Sequence, residues 1–418
     1  MKLIGNLKGG NIYPETIKNV FPTKHKYGSN LTWSAHTDTY KPTIDGHGID
    51  AEINAFKNNL QLTILVNPTT DSSYTEEIKG ALETGRISAG LYFRANISTS
   101  IQSQLNWYVN TFGKLPSYWS YGNGVRDYDE FVLSNGLVSR LSQSGEHSYD
   151  FNERLGHKVS SVFNYDVRDN GQAQALIDAE TNLSNAISVE GWFNDFSHWH
   201  WANQYGDKNQ LELFLKGQKE LLNNVNYISL GAGEAVEYMW LRNQFKRAGI
   251  YQDGNELVII SDVRNTENIP YKAIDESLSL EVDLTDTILE GKEIEGNTDI
   301  LKTDVNSYIV QIPYSIRDGF RTARLKETSE PKYIDLSVPT LTINVLTNQI
   351  EVSADKQTNA VLFKVPKNGN YYESEIVERN NTMEHSHIFD VLDSNYDYYV
   401  GAITEHKQSV LSEKINLS

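Results

Sequence analysis

Residues 31–68, LTWSAHTDTYKPTIDGHGIDAEINAFKNNLQLTILVNP, decide the fold of the N-terminal half of this chain. The stretch begins with a β-prone run at residues 31–34 and is then broken by two glycines. Helical spacing follows over residues 49–60, and residues 62–66 form a continuous apolar run. A strand, a helix and a second strand in this order predict a βαβ unit with parallel pairing.

The same alternation continues towards residue 245. Helical patterns cover residues 75–84, 99–112 and 211–223, and strand patterns cover 87–92, 159–165, 187–193 and 227–230. Strands and helices that alternate over about 210 residues favour a closed or nearly closed β/α barrel. We therefore expect a β/α barrel over residues 31–248, whose reactive groups lie at the carboxyl ends of its strands.

Short strand patterns separated by turn residues replace this alternation after Gly249, and they predict two all-β domains. Residues 249–335 are expected to form one β-sandwich. Residues 336–418 are expected to form a second, which resembles a fibronectin type III module, a unit that commonly serves as a spacer. Residues 1–30 are interrupted by glycine and proline and are expected to form an irregular N-terminal arm.

Composition and charge exclude several classes of function. The 37 Lys and Arg residues against 55 Asp and Glu residues give a net charge of −18, which argues against binding to nucleic acid. The chain has no Cys, so any bound metal must be held by His and carboxylate groups. No apolar run has the length of a signal-peptide core or a membrane span, so we expect no signal peptide and no span in the given chain.

Three stretches show similarity to one enzyme family. They are residues 31–68, GKLPSYWSYGNG at 113–124 and DFSHWHW at 195–201. In this order they resemble the strand, turn and helix motifs of the polysaccharide deacetylases, also called the NodB-homology or carbohydrate esterase 4 family. The resemblance covers about residues 30–245. It implies a NodB-like β/α barrel followed here by two β-sandwich domains.

The resemblance also implies a catalytic site whose key residues are replaced in this chain. The family's general base falls at Thr37, its metal-binding Asp at Asp38, and its two metal-binding His residues near Gly90 and Arg94. His198 matches the family's last catalytic His. Hydrolysis through a metal-bound water needs about three protein ligands and a base. A degenerate scaffold without this activity is therefore expected, with no cofactor.

Alternative catalytic arrangements remain open. A rewired divalent-metal site, for Zn, would use two pairs of residues spaced two apart: His36, Asp38, His198 and His200. Asp195 would then act as the base. A metal-free glycosidase site would draw two carboxylates from Asp166, Glu190 and Asp195. The His residues also fit a simpler interpretation, in which they are hydrogen-bonded members of an aromatic core.

Aromatic residues near the predicted strand ends indicate carbohydrate binding. Flat rings stack on the C–H faces of sugars, and their polar edges reach hydroxyl groups. The candidate sugar-binding residues are Tyr92, Tyr118, Trp119, Tyr121, Trp192, Trp199 and Trp201.

The sequence thus predicts a carbohydrate-recognising protein that contacts a bacterial surface polysaccharide. Its setting is expected to be a phage tail or another virion component, or otherwise extracellular, with the N-terminal arm binding other virion proteins. Two alternatives are an active polysaccharide deacetylase or glycan hydrolase with relocated ligands, and a purely structural virion protein.

Overall fold

The computed structural model describes residues 20–37, 49–68, 72–93, 100–116, 118–121, 129–135, 139–144, 157–161, 163–197, 209–245, 247–262, 276–313, 320–369, 371–390 and 393–417. These residues form a mixed α/β part followed by two β-rich parts.

Strands and helices alternate through the first part, as the sequence predicts. The strands are β1 (Val20–Pro22), β2 (Leu31–Thr37), β3 (Leu62–Val66), β4 (Ile87–Phe93), β5 (Trp119–Tyr121), β6 (Ser139–Ser144), β7 (His157–Val159), β8 (Trp192–Phe196) and β9 (Tyr227–Ser229). The helices are α1 (Ile49–Asn58), α2 (Ser72–Thr84), α3 (Ile101–Phe112), α4 (Asp129–Ser134), α5 (Phe163–Asn170), α6 (Gln172–Ser188), α7 (Gln210–Leu222) and α8 (Ala232–Gln244). Among the described helices, none has the length and apolar character that crossing a membrane requires.

Strands β2 to β9 form one parallel sheet that curls back on itself. Its order is β7-β6-β5-β4-β3-β2-β8, and β9 also pairs with the first half of β2. The backbone N–H of Ser160 donates to the carbonyl of Asn194 at 2.8 Å, and that of Phe196 donates to Ser161 at 3.1 Å. These bonds join the two ends of the sheet and give the part its barrel-like shape.

The central strand β2 is buried along its whole length, and its side chains alternate between two environments. Trp33 and Ala35 belong to the largest apolar cluster, which lies between the sheet and the helices. Ser34 and His36 project to the inner face. Each fully buried large apolar side chain stabilises the fold by about 1.5–3 kcal/mol, whereas buried polar side chains require hydrogen-bond partners.

Helix α8 covers part of the inner face of the sheet. Its residues Ala235 and Met239 share an apolar cluster with Leu65 and Trp192. At its start, the backbone N–H of Ala232 donates to Thr63 Oγ1 at 2.8 Å. Because Thr63 lies near the amino end of β3, the helix begins at the amino-terminal end of the barrel interior.

The second part is a pair of antiparallel sheets. Its strands are β10 (Arg247–Asp253), β11 (Glu256–Asp262), β12 (Ser277–Asp283), β13 (Ile294–Gly296), β14 (Ile300–Lys302), β15 (Ser307–Pro313) and β16 (Phe320–Glu327). The sheet orders are β1-β12-β15-β14 and β10-β11-β16-β13. Strand β1, which the sequence places in an irregular arm, pairs with β12 through Val20 and Val282. The remainder of that predicted arm, residues 1–19, lies outside the described residues.

The third part is a five-stranded antiparallel sheet. Its strands are β17 (Leu341–Val345), β18 (Gln349–Pro366), β19 (Glu375–Asp390), β20 (Tyr396–Ile403) and β21 (Ser409–Leu411). The sequence predicts two short strands at residues 349–353 and 360–365, but both belong to the single 18-residue strand β18. Register shifts against β19 follow Ser353, Thr358 and Leu362. Such irregularities let a long strand bend, so one strand runs where two were expected.

The third part packs directly on the barrel helices. The guanidinium of Arg379 makes two bonds, at 2.5 and 2.8 Å, to the fully buried carboxylate of Glu52 on α1. The rings of Phe56 on α1 and Phe363 on β18 have centroids 6.0 Å apart. A buried ion pair and an aromatic contact fix this domain to the barrel, which differs from the spacer role expected of a fibronectin-like module.

Candidate functional site

A connected set of polar side chains lies on the inner face of β2 and β8. It extends from Trp192, the first residue of β8, to His36 near the carboxyl end of β2. The amide oxygen of Asn194 accepts bonds from His36 Nδ1 at 3.1 Å and from Ser34 Oγ at 3.0 Å. Ser34 Oγ in turn accepts a bond from Trp192 Nε1 at 2.8 Å. We call His36, Asn194, Ser34 and Trp192 the inner network. All four side chains are buried, so their mutual bonds replace bonds to water.

Aromatic rings enclose the imidazole of this network. The ring of Tyr118 meets that of His36 edge-on, with centroids 5.1 Å apart, and the ring of Phe196 lies 5.2 Å away. The amide nitrogen of Asn194 donates to the hydroxyl of Tyr118 at 3.4 Å. The rings and bonds hold the imidazole in one orientation, as the interpretation of His36 as a hydrogen-bonded member of an aromatic core expects.

A second buried histidine lies at the opposite end of β2. His25 Nε2 donates to the backbone carbonyl of Glu190 at 2.9 Å, and its Nδ1 accepts from Thr32 Oγ1 at 2.8 Å. Burial lowers the pKa of His25 to about 4, so the imidazole is neutral at pH 7. The sequence analysis missed this residue because it lies in the predicted arm.

Asp195 faces away from the inner network. Its Oδ1 accepts from the backbone N–H of Phe163, the first residue of α5, and its Oδ2 accepts from Ser197 Oγ at 2.7 Å. Asn194 precedes it on β8, and successive side chains of a strand point to opposite faces. In this geometry the carboxylate bonds to the first backbone N–H of a helix, and the role of Asp195 as a catalytic base stays a prediction.

Several of the predicted rim aromatics are core residues. Trp119 is fully buried in the outer apolar cluster, with its ring 6.0 Å from that of Phe93. Tyr118 and Trp192 are buried on the inner face. A ring without exposed area offers no surface for a sugar, so the rim placement of these three residues is corrected. Tyr92, at the carboxyl end of β4, keeps partial exposure.

The remaining predicted residues divide into two groups. Tyr121 ends β5. The other five lie outside the described residues: Asp38, His198, Trp199, His200 and Trp201. Of the carboxylates in the glycosidase alternative, Glu190 precedes β8 at the amino end of the barrel, and Asp166 belongs to helix α5.

The position of Gly90 tests whether the barrel fits the metal triad of the deacetylase family. A Cβ on residue 90 would lie 2.6 Å from both the backbone oxygen of Tyr118 and Cδ2 of Leu65. Any side chain there, including the His that the family places at this point, would collide with backbone. Within the described ranges, no group of three or more His, Asp or Glu residues could hold a metal ion. The described residues do not fit the family's triad.

Known proteins resemble this chain only at the level of three-dimensional structure. No protein-family profile matches the sequence, and no curated protein matches it. A protein from Mycobacterium smegmatis that is named as a polysaccharide deacetylase matches with a TM-score of 0.38 and 10% identity, over 54% of this chain and 96% of that protein.

Two further solved structures match over a similar share of the chain. The carbohydrate esterase 4 domain of a xylanase from the hindgut metagenome of Trinervitermes trinervoides has a TM-score of 0.33 and 12% identity, over 50% of this chain and 89% of the domain. A family 4 acetyl xylan esterase from Clostridium thermocellum has a TM-score of 0.28 and 12% identity, over 49% and 89%. All three TM-scores are below 0.5, so these similarities assign no activity to this chain.

Proposed function

We propose that the barrel recognises a glycan at the carboxyl ends of its strands and does not hydrolyse it by metal-dependent deacetylation. The partly exposed ring of Tyr92, at the carboxyl end of β4, carries this proposal. The buried inner network supports it, because it holds Tyr118 and His36 in fixed orientations in the same part of the barrel. The collision at residue 90 removes one ligand of the family's metal at the same end.

Rigid polar groups next to aromatic surface suit sugar recognition. The inner network fixes Tyr118, and Tyr92 packs against the apolar cluster that contains Tyr118. Tyr92 therefore supplies partly exposed aromatic surface beside the network. The sequence adds Trp199 and Trp201 a few residues after β8.

The proposed ligand is a bacterial surface polysaccharide, and the proposed setting is a virion or the cell exterior. Both rest on the sequence analysis, as does the role of the N-terminal residues in attachment to other virion proteins.

The proposal is tested by measuring the affinity of the intact chain for a panel of acetylated and deacetylated polysaccharides. Tyr92→Ala is expected to weaken binding about tenfold or more, which corresponds to about 1.4 kcal/mol. Trp199→Ala tests, by the same loss of affinity, whether the residues after β8 bind the polysaccharide. Tyr396→Ala is the matched control, since it removes a partly buried tyrosine from the third part. Equal affinity in all four proteins, or no affinity for any polysaccharide, would remove the proposal.

A metal-dependent deacetylase with relocated ligands is the second candidate, and the position of His36 at the carboxyl end of β2 favours it. His36 Nδ1 is bonded to Asn194, so a cation would have to be ligated by Nε2. The test is the zinc content of purified wild type and Asp38→Ala. Stoichiometric zinc that is lost in the variant would favour this candidate over recognition alone.

A further inference from the structure

A cavity of about 430 Å³ lies where the three parts of the molecule meet. Gln61 and Ser88 border it at the amino ends of β3 and β4. Gln311 of the second part and Lys407 of the turn between β20 and β21 also line its wall. Because Tyr92 lies near the carboxyl end of β4, the cavity and the proposed glycan site are at opposite ends of the barrel.

The charged groups around this cavity are mostly acidic. Among the described residues that line it, the carboxylates are Glu234, Glu237, Glu276, Asp299 and Glu405, and the lysines are Lys26, Lys114 and Lys407. Five negative against three positive charges leave an excess of two negative charges, and one would remain if His406 were protonated. A cleft of one sign raises the local concentration of ions of the opposite sign, so this cavity favours cations.

The ion pairs within the lining do not remove this excess. Lys26 Nζ lies 2.6 Å from Glu276 Oε1, so these two charges balance each other. Desolvation lowers the pKa of Lys407, while the charge of Glu234 acts in the opposite direction. If the charge of Glu234 is assigned to Lys407, three carboxylates and one lysine are left: Glu237, Asp299, Glu405 and Lys114.

Two of the carboxylates come from one face of helix α8. Glu234 and Glu237 are three residues apart, and this spacing makes them neighbours on the helix surface. Glu234 Oε2 accepts from the backbone N–H of Gly231 at 3.1 Å, which fixes the side chain at the start of the helix. Glu237 is only 6% exposed. A buried carboxylate is poorly screened by salt and interacts strongly with a cation that reaches it.

The cavity wall also offers two unused neutral hydrogen-bonding groups. Gln61 Oε1 is an acceptor and Gln311 Nε2 is a donor, and neither has a partner among the described residues. Both residues border the cavity, with 1% and 3% of their surface exposed. Buried amides without partners cost free energy. An ammonium group can donate to Gln61 Oε1, and a hydroxyl group can accept from Gln311 Nε2, so a ligand with both groups satisfies both amides.

We propose that this cavity, the junction site, binds a small hydroxylated amine such as an amino polyol. The ammonium group of the ligand lies between the acidic face of α8 and Gln61, and a hydroxyl group accepts from Gln311. The volume of the cavity is within the range of about 300–1,000 Å³ that is typical of small-molecule sites. This binding is additional to the proposed glycan recognition and does not depend on it.

The test is calorimetric titration of the full chain with glucamine, sorbitol and gluconate. These three probes share a hydroxylated six-carbon skeleton and differ at one carbon, which carries an ammonium, a hydroxyl or a carboxylate group. Glucamine is expected to bind, and both sorbitol and gluconate are expected to bind at least about tenfold more weakly. Added salt should reduce the affinity for glucamine, because the attraction is electrostatic.

Variants of the wall test the sign of the charge effect. Glu237→Gln removes a negative charge at nearly constant shape and should weaken glucamine binding about tenfold. Glu220→Gln, on the exposed face of α7, is the matched control and should bind like wild type. Lys407→Met removes a positive charge and should strengthen glucamine binding about threefold. Gln61→Met removes the unused acceptor without a change of charge and should weaken binding.

Circular dichroism of each variant establishes that it is folded. Four results would overturn the proposal: no glucamine binding by wild type, equal binding of sorbitol or gluconate, unchanged glucamine affinity in folded Glu237→Gln and Gln61→Met, or weaker glucamine binding in folded Lys407→Met.

Discussion

The two ends of the barrel differ in how fully their buried polar groups are hydrogen-bonded. At the carboxyl end, His36, Ser34 and Trp192 are joined through one amide and one hydroxyl in a connected network. At the amino end, Arg86 is fully buried, and its Nε and Nη2 have no hydrogen-bond partner among the described residues, while Lys407 Nζ donates to the carbonyl of Gly85.

The difference shows that the buried polar groups of the carboxyl end are hydrogen-bonded within the protein, whereas those of the amino end are only partly so. A satisfied network rigidifies its surroundings and is expensive to disrupt, whereas an unpaired buried charge costs free energy. Substitutions at the two ends should therefore change the free energy of unfolding in opposite directions.

Asn194→Leu should give the largest effect. It removes the acceptor of both His36 and Ser34 and leaves these buried donors without that partner. We expect the free energy of unfolding to fall by about 2–6 kcal/mol, from two groups at roughly 1–3 kcal/mol each. Urea denaturation measures this change. Asn185→Leu, on the exposed face of α6, is the control and should change stability little; an equally small loss for Asn194→Leu would show that the network is not stabilising.

His25 should make the protein sensitive to acid. Its pKa is 6.5 when unfolded and about 4 when buried, so between these values the unfolded chain binds a proton that the folded chain does not. The free energy of unfolding should fall as pH decreases through this window, by at most about 3 kcal/mol. Comparison of wild type with His25→Gln at pH 7 and pH 4.5 isolates this contribution. Identical pH dependence in the two proteins would refute it.

Gly90→Ala should destabilise the carboxyl end by overpacking. The added methyl group meets the backbone oxygen of Tyr118, which cannot move without shifting β5. A loss of about 1–3 kcal/mol is expected in thermal or urea unfolding. Gly217→Ala in α7 is the control, because its methyl group meets only the flexible end of Glu180. If Gly90→Ala is as stable as wild type, residue 90 can accept a side chain, and the metal-binding His of the deacetylase family would fit at this position.

Lys407→Met should give the smallest effect, and with the opposite sign. It removes a desolvated charge and one hydrogen bond of 3.3 Å. Without ligand, the free energy of unfolding should stay constant or rise by about 1 kcal/mol. A loss of 2 kcal/mol or more would mean that the ammonium group is already satisfied, and the contrast between the two ends would disappear.

Local patterns predicted the first half of the barrel well, because its strands and helices have strong periodicity. The strand predicted at residues 159–165 instead ends β7 and begins α5, and the one predicted at 187–193 ends α6 and begins β8. The βαβ unit over residues 31–68 has the predicted order and pairs in parallel. The sequence did not predict strand β1 before residue 30. This strand forms by pairing with β12, which lies more than 250 residues away in the chain. Strand β18 was divided in two because polar residues at its bend resemble a turn.

The candidate site was predicted less well. Its residues were chosen because they lie near strand ends, and that position does not show which face of the sheet a side chain occupies. The alternation of Thr32, Ser34 and His36 with apolar residues on β2 was a signal for the inner face, and it was not used. Applied to β8, the same two-residue period separates Asn194 from Asp195. The cavity lined by Gln61, Gln311 and Lys407 could not be predicted at all, since its walls come from three parts distant in sequence.

The central claim is that the carboxyl end of the barrel recognises a glycan without metal chemistry. The most direct measurement is the affinity of the intact chain for an acetylated surface polysaccharide in EDTA and in excess zinc, with released acetate assayed in the same samples. Equal affinity in both conditions and no acetate release are predicted. Binding that requires zinc, accompanied by acetate release, would contradict the claim.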